Sequence, residues 1–404
     1  MDSFSIVMTL QDDMVSPEVS SLEGEIAEFL FSSPHRSLQA QGVLARIDLP
    51  ALGGEKTDSD FARSVREALT WAREQGQDDP VVLGAIPFDT SQPSALVVPQ
   101  RSRFVTREEI LAGARREFMC PQVCSSRSIP DEQDFKQGVR QAIANFQYSC
   151  IRKAVLSRLC EIELGEPLDT RRVLANLLAQ NPSAYHFRMP LPDGTELIGA
   201  SPELLLRKQG GRVRTFPLAG SAARQVEPER DQAVARGLEA SAKDQHEHRL
   251  VVEDIRQVLA PLCDELSIPD IPEIVSTATL WHLGTPIEGR LKDEGLSVLE
   301  LACRLHPTPA VCGFPRQQAR KLVNLIEPFE RGPFAGIVGW CDGQGDGEWV
   351  VTIRCATVQA TSLRLFAGVG VVEASCPEAE WIETQVKLRT MLNACGLQPE
   401  VTTI

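Results

Sequence analysis

The 404-residue sequence predicts an α+β fold rather than a doubly wound α/β fold. Two pairs of strand-like segments support this prediction. LIGASPELLLRK and RVRTFPLAG flank the turn signal QGG, and GEWVVTIRCATV and SLRLFAGVGVV are separated by a short turn. Because strands joined by short turns pair antiparallel, we expect antiparallel sheets packed with helices.

The N-terminal part should begin with an amphipathic helix and a buried strand. DSDFARSVREALTWAREQG places apolar residues at helical spacing, with Gly76 at the position of a C-cap. PVVLGAIPF, residues 80–88, is typical of a strand buried on both faces.

Residues 121–135 are polar and rich in turn formers, which predicts a linker. The linker would separate a variable N-terminal portion, residues 1–130, from a motif-bearing core, residues 131–397. We expect both to belong to one domain spanning residues 1–404.

The core alternates strands and helices in mixed order. KAVLSRLCEIEL, residues 153–164, has the alternation of a strand. Helices are predicted at residues 228–262, 295–304, 316–326 and 377–395.

Composition excludes several classes of partner. The net charge of −14 and the absence of a Lys/Arg block argue against nucleic acid and anionic membranes. No apolar run approaches the roughly 20 residues of a membrane span. Asp2 stands where a signal peptide carries basic residues, so we expect a cytoplasmic protein whose 11 cysteines are thiols. No apolar docking helix is evident, and a monomer is expected.

Two segments carry paired acids at helical spacing. In KDQHEHRLVVEDIRQVL, Asp244 and Glu247 stand three residues apart, and in CPEAEWIETQVKL Glu380 and Glu383 do the same. Four carboxylates suit Mg²⁺, which prefers oxygen ligands. Each pair taken alone is more often simply the solvated face of a helix, and spacing cannot decide between the two interpretations.

Nine motifs follow one another along the chain: KAVLSR, GASPELLLR, PLAGSA, SAKDQHEHRLV, TLWHLGTPIEG, HPTPAVCGFP, GEWVVTIRCA, FAGVGVV and EAEWIETQVKL. In this order they resemble one family, the chorismate-utilising enzymes, and within it the isochorismate synthases that feed catecholate siderophore synthesis. The likeness is dense from about residue 145 to residue 396. It implies antiparallel sheets and helices around a central active-site cleft.

The resemblance implies a Mg²⁺ site between the two acidic helices. Glu247 and Glu383 match direct ligands, and Asp244 and Glu380 match outer, water-mediated carboxylates. The metal would hold the ring carboxylate of chorismate. Two histidines, His246 and His248, flank Glu247 in the sequence. They are interpreted as structural or surface residues rather than ligands.

The resemblance also implies an acid and a base for moving a hydroxyl from C4 to C2 of the ring. Lys153 matches the base that activates water, and Glu203 the acid that protonates the departing hydroxyl. Burial must lower the pKa of the lysine and raise that of the glutamate for these roles. Without the resemblance, Lys153 would be interpreted as a surface lysine at a strand end.

The remaining matches concern substrate binding. Arg354 would clamp the enolpyruvyl carboxylate with help from Lys387, and His282 would lie near the C4 hydroxyl. Apart from the resemblance, Arg354 is equally a structural cation inside a buried strand and His282 a core histidine. The pocket should also be lined by Gly220, Ser221, Gly368 and Gly370, where backbone N–H groups can approach carboxylates.

Within the family, residues at single positions favour one type of reaction over another. Lys153 and Ala219 favour water over ammonia as the nucleophile, since amino-transferring relatives carry glutamine and, in some, lysine at these positions. Ala310 in HPTPA favours an isochorismate synthase over a salicylate synthase. The motifs are also compatible with a menaquinone-pathway isochorismate synthase and with a non-enzymatic regulator that binds chorismate. An isochorismatase, as the next enzyme, could make a transient contact.

Overall fold

The computed structural model describes residues 27–112, 114–398 and 401. The strands of these residues form three sheets in which the pairing is antiparallel, so the predicted α+β class is confirmed. The N-terminal segment up to residue 26 lies outside the described residues.

The first sheet has ten described strands. In spatial order they are β18 (Gly313–Phe314), β8 (Lys153–Leu164), β22 (Ser362–Val371), β21 (Cys355–Gln359), β10 (Glu196–Ser201), β9 (Tyr185–Pro190), β1 (Phe29–Ser32), β2 (Ser37–Gln41) and β6 (Arg101–Val105), with β7 (Val123–Ile129) paired to β8 beside this path.

Two further sheets and the helices complete the architecture. The second sheet runs β14 (Cys263–Ser267), β17 (Ile287–Leu291), β12 (Arg212–Phe216), β11 (Leu204–Gln209), β20 (Gly347–Val351), β19 (Ile337–Asp342), β4 (Val81–Ile86), β5 (Ala95–Val98) and β3 (Ala45–Ile47), and the third runs β13 (Leu218–Ala223), β16 (Leu280–Gly284) and β15 (Glu273–Ser276). The helices are α1 (Asp60–Glu74), α2 (Arg107–Ala112), α3 (Glu132–Tyr148), α4 (Thr170–Gln180), α5 (Pro228–Ala240), α6 (Ala242–Leu259), α7 (Val298–Leu305), α8 (Arg316–Ile326) and α9 (Pro377–Cys395).

Three segments predicted as continuous strands instead cross from one sheet to another. LIGASPELLLRK breaks at Pro202 between β10 and β11, and RVRTFPLAG breaks at Pro217 between β12 and β13. Proline lacks the N–H that a ladder needs, which accounts for both breaks. GEWVVTIRCATV breaks before Arg354, whose φ of 51° is left-handed, so Arg354 does not lie inside a strand as predicted. The hairpins at QGG and between β21 and β22 are confirmed.

The helix predictions hold with two corrections. The predicted helix 228–262 is two helices, because Ser241 interrupts it and caps α6 by accepting a hydrogen bond from the backbone of Asp244. The helix predicted at 295–304 begins at Val298, since Ser297 and Glu300 form a capping box. The bounds predicted for α8 and α9 are confirmed.

The predicted linker at residues 121–135 is wrong. Seven of its residues form β7, which pairs with β8 inside the first sheet, and Asp131 caps α3 directly afterwards. The strand is polar because most of its residues stay partly exposed, and this exposure gave it the composition of a loop. Whether residues 1–404 form one domain stays a prediction.

The N-terminal elements and the cysteines agree with expectation. Helix α1 is followed by Gly76 with a positive φ of 93°, and every residue of β4 is buried. The eleven cysteines are free. Within the described part of the chain, no helix is both long and apolar enough to cross a membrane.

Stability should be sensitive to substitution of Gly84, which lies in β4 of the second sheet. A Cβ there would lie 2.0 Å from the carbonyl oxygen of Ala95, and φ is +147°. We expect Gly84→Ala to lower the free energy of unfolding by roughly 2–4 kcal/mol in denaturant titrations. Gly237→Ala is the control, because Gly237 lies in α5 with open space around it. It should raise stability by about 0.5–1 kcal/mol. Equal effects of the two changes would show that the close contact at Gly84 does not limit stability.

Candidate active site

Most of the predicted site residues line one cavity of about 60 Å³. Those at its wall are Glu203, Gly220, Ser221, Glu247, His282, Ala310, Arg354, Gly368, Gly370, Glu383 and Lys387. Lys153, Asp244 and Glu380 lie behind this wall.

Lys153 is fully buried and faces an acid. Its Nζ lies 3.0 Å from Oε1 of Glu247, which projects from α6 into the cavity wall. Gly370 on β22 makes room for this pair, since a Cβ there would lie 2.1 Å from that oxygen and 2.9 Å from Cε of Lys153. The expected burial of Lys153 is confirmed, and the alternative of a surface lysine is wrong.

Glu203 lies at the break between β10 and β11 and is 3% exposed. Burial raises the pKa of its carboxyl to about 7, although a backbone hydrogen bond from Leu218 and the nearby charge of Lys153 act in the opposite direction. A substantial share of Glu203 is therefore protonated at neutral pH, as a general acid requires.

The two acid-bearing helices meet, but their carboxylates are paired with lysines. Nζ of Lys243 on α6 lies 2.9 Å from Oε1 of Glu380 on α9, which joins the helices directly. On α9, Nζ of Lys387 lies 2.7 Å from Oε1 of Glu383, which also accepts a hydrogen bond from Ser221. The interpretation of these acids as solvated helix faces is wrong for Glu380, which is 1% exposed.

The charges of some of these acids raise the pKa of others. Burial raises the pKa of Asp244, and the charges of Glu247 and Glu383 raise it further. Burial also opposes ionisation of Glu383, but the ion pair with Lys387 lowers its pKa overall. In the portion of the chain that the structure describes, no three His, Cys, Asp or Glu side chains group closely enough to hold a metal ion. Three of the four predicted acids instead have a lysine as their partner: Glu247, Glu380 and Glu383.

His282 and Arg354 face the same cavity. Burial, with the nearby cations Arg354 and Lys387, holds the pKa of His282 well below its usual value, so the ring is neutral. Its Nε2 has no hydrogen-bond partner among the described residues. Burial also lowers the pKa of Arg354 to about 10, which leaves the guanidinium charged at neutral pH. His282 therefore presents an unused ring nitrogen to a ligand, and Arg354 presents a positive charge.

The neighbouring histidines of α6 are not among the residues that line the cavity. Nε2 of His248 lies 2.7 Å from Oγ1 of Thr285, and burial, followed by the charge of Lys153, lowers the pKa of His248 to about 4. His246 is exposed. The interpretation of the two as a structural and a surface residue fits these positions.

Three residues of the site were missed from the sequence. Ser157 lines the cavity with a buried hydroxyl that has no partner in the described structure. The alternation Lys153, Val155, Ser157 along β8 could have revealed it. Arg331 lines the cavity and forms a buried ion pair with Glu327. Lys243, which directly precedes Asp244, was overlooked as the counter-ion of an acid on α9.

Comparison with known proteins identifies the family to which this chain belongs. A family model described as chorismate binding enzyme matches residues 97–396. The chain belongs to the chorismate-binding enzyme family. It is 46% identical to isochorismate synthase EntC of Escherichia coli K12 over 390 residues, which cover 96% of this chain and 100% of that protein. It is 42% identical to isochorismate synthase DhbC of Bacillus subtilis 168 over 375 residues, covering 91% and 94%.

A solved structure agrees with the chorismate-binding fold. DhbC of Bacillus anthracis, assigned as a 2,3-dihydroxybenzoate-specific isochorismate synthase, superposes with a TM-score of 0.86 at 39% identity. The match covers 93% of this chain and 98% of that chain. The predicted fold family is therefore confirmed.

Proposed function

We propose that this protein is an isochorismate synthase that converts chorismate to isochorismate and serves catecholate siderophore synthesis through 2,3-dihydroxybenzoate. The observation that carries the proposal is the fully buried Lys153 near a protonatable Glu203, with cations at the wall of the cavity between them. The isochorismate synthases EntC and DhbC, at 46% and 42% identity, support it.

The reaction exchanges one hydroxyl for another and needs an acid and a base. Water adds at C2, the ring double bonds shift, and the C4 hydroxyl leaves as water. Lys153, in its neutral form, takes the proton from the attacking water, and Glu203 donates its proton to the departing hydroxyl. The neutral His282, with a free ring nitrogen, can hydrogen-bond the C4 hydroxyl. The overall change is an isomerisation.

Two cations at the cavity suit a dicarboxylate substrate. Arg354 can hold the enolpyruvyl carboxylate through two parallel hydrogen bonds, assisted by Lys387. Substrate binding would give Lys387 a new partner in place of Glu383. Gly220, Gly368 and Gly370 line the cavity and carry no side chain of their own. The space beside Gly370 is taken by the carboxylate of Glu247.

The donor chemistry of the acids fits Mg²⁺. Glu247, Glu383, Asp244 and Glu380 supply only carboxylate oxygens, and the first two line the cavity. Bound Mg²⁺ would neutralise the ring carboxylate and stabilise charge as it shifts. The ion pairs of Lys153 with Glu247 and of Lys387 with Glu383 would then have to be exchanged.

The finer assignments belong to the same proposal. Ala310 at the cavity wall favours an isochorismate product over salicylate. The siderophore pathway is preferred to the menaquinone pathway. A cytoplasmic monomer that passes its product to an isochorismatase in a transient contact completes the proposal.

Product analysis tests the reaction. Purified protein incubated with chorismate and Mg²⁺ should yield an isomer of unchanged mass, detected by liquid chromatography and mass spectrometry. Release of pyruvate would instead indicate a salicylate synthase, and an ammonia-dependent product an amino-transferring relative. Absence of turnover would leave a chorismate-binding regulator.

Lys153→Gln should reduce kcat by roughly 10²–10⁴-fold, because glutamine cannot take a proton from water. Chorismate affinity, measured by calorimetry, should change little. Lys208→Gln is the matched control, since Lys208 is also a buried lysine with an acidic partner, Asp346, but lies away from the cavity. Equal turnover of the Lys153 variant and the wild type would remove Lys153 as the base.

Glu247→Gln should weaken both Mg²⁺ activation and chorismate affinity, because the amide lacks the charge that binds a divalent cation. The measurement is a magnesium titration of turnover, together with binding of Mg²⁺ by calorimetry. Glu253→Gln on the exposed face of the same helix is the control. An unchanged titration for the Glu247 variant would show that this residue is not a ligand.

Glu203 should lose its role as the acid as pH rises through about 7. It acts only in its protonated form, and burial raises the pKa of its carboxyl to about 7, so the acid is present below that pH and lost above it. Because Lys153 must be neutral to act as the base, and its neutral share grows with pH, kcat alone does not isolate this step. Infrared difference spectra of the carboxyl band, with Glu203→Gln as the control, follow the titration directly, and a carboxyl already ionised at pH 5 would exclude Glu203 as the acid.

A further inference from the structure

A second cavity of about 700 Å³ lies on the far side of the segment that carries Glu203. Its size is within the range of small-molecule sites, which run from about 300 to 1,000 Å³. Pro202 and Leu218 line both cavities. Glu203 follows Pro202 and accepts a hydrogen bond from the backbone N–H of Leu218. The wall between the cavities therefore holds the proposed catalytic acid.

The second cavity contains two arginines that face each other across paired strands. Arg207 on β11 stands directly opposite Arg214 on β12, and both line the cavity. Like charges at directly opposed positions of a sheet are destabilising. The cost falls when an anion lies between them.

The nearby carboxylates neutralise the positive charges of these two arginines only in part. Oε1 of Glu348 lies 3.9 Å from Nη1 of Arg207, which is beyond hydrogen-bond distance. Burial raises the pKa of Glu348 to about 7, so part of its charge is absent at neutral pH. Arg214 lies 3.4 Å from Glu288, but both side chains are largely exposed, and such pairs contribute little.

The other walls supply apolar surface and polar groups. Phe216, Leu218 and Val275 line the cavity together with the ring of Tyr185. Asn181 is 7% exposed, and its amide nitrogen has no hydrogen-bond partner in the described structure. The lining thus joins an anion-binding pair to a surface that suits a flat apolar group.

We propose that this cavity is a second ligand site, separate from the active site, for a small organic anion that joins a carboxylate to an apolar ring. Arg207 and Arg214 share the carboxylate, and Phe216 with its apolar neighbours contacts the ring. An inorganic anion lacks the second part and binds more weakly.

Because the two cavities share a wall, a ligand in the second cavity should affect turnover in the first. This consequence rests on the proposed function. A ligand in contact with Pro202 and Leu218 bears on both sides of Glu203 and changes its position or its hydrogen bond. Occupancy should therefore alter kcat without competing with chorismate.

Binding is tested with benzoate by isothermal calorimetry on the intact protein, with inorganic phosphate as the comparison. Benzoate should bind at least roughly tenfold more tightly to the wild type than to the Arg207→Gln/Arg214→Gln variant, since each charged hydrogen bond contributes substantially. Arg212→Gln is the matched control, because Arg212 lies on the same strand outside the cavity lining and should leave the affinity unchanged. If the double variant unfolds at a lower temperature, the single change Arg214→Gln, at an exposed position, replaces it.

The binding measurements can overturn the proposed second site whether or not the proposed reaction is right. Absence of benzoate binding, or equal affinity in the wild type and the arginine variants, removes the site. Phosphate binding as tight as that of benzoate removes the assigned ligand class. In chorismate assays, a change of kcat caused by benzoate and lost in the variants supports the coupling. A rise of KM alone would place benzoate in the active site and contradict it.

Discussion

The buried ion pair between Lys153 and Glu247 is the contact on which the candidate active site depends. Both side chains are withdrawn from water, so each charge needs the other, and removing one partner of such a pair typically costs about 3–5 kcal/mol. The lysine belongs to β8 and the glutamate to α6, so the pair joins the first sheet to the helix that carries one acid pair. Gly370 permits this approach because a Cβ would overlap the carboxylate.

The same principle extends around the cavity. Lys387 faces Glu383 and Lys243 faces Glu380, so three lysines neutralise three acids at or next to the cavity wall. A dicarboxylate substrate and a divalent cation together would bring the opposite set of charges. In the proposed reaction the substrate would pair with the cations and bound Mg²⁺ with the carboxylates, so that no buried charge would be left without a partner.

The sheet crossings decide where the reactive groups stand. Glu203 and Arg354 both occupy points at which the chain leaves one sheet for another, and neither has a neighbouring strand along its full backbone. Arg354 adopts a left-handed conformation, which costs energy and is tolerated where the surrounding structure enforces it. Because the crossing at Pro202 is also the wall of the second cavity, a ligand there can act on the acid without entering the active site.

The sequence by itself determined the features that depend on local spacing. The hairpins, the ends of α8 and α9 and the paired acids could be predicted because caps, turns and helical periodicity act over a few residues. The order of the motifs along the chain also indicated the family. Only the tertiary structure decided that β7 joins a sheet, that Ser157 and Arg331 reach the cavity, and that Lys243 meets Glu380. These contacts join residues far apart in the chain, and their distances follow from how the sheets and helices pack, which local spacing does not encode.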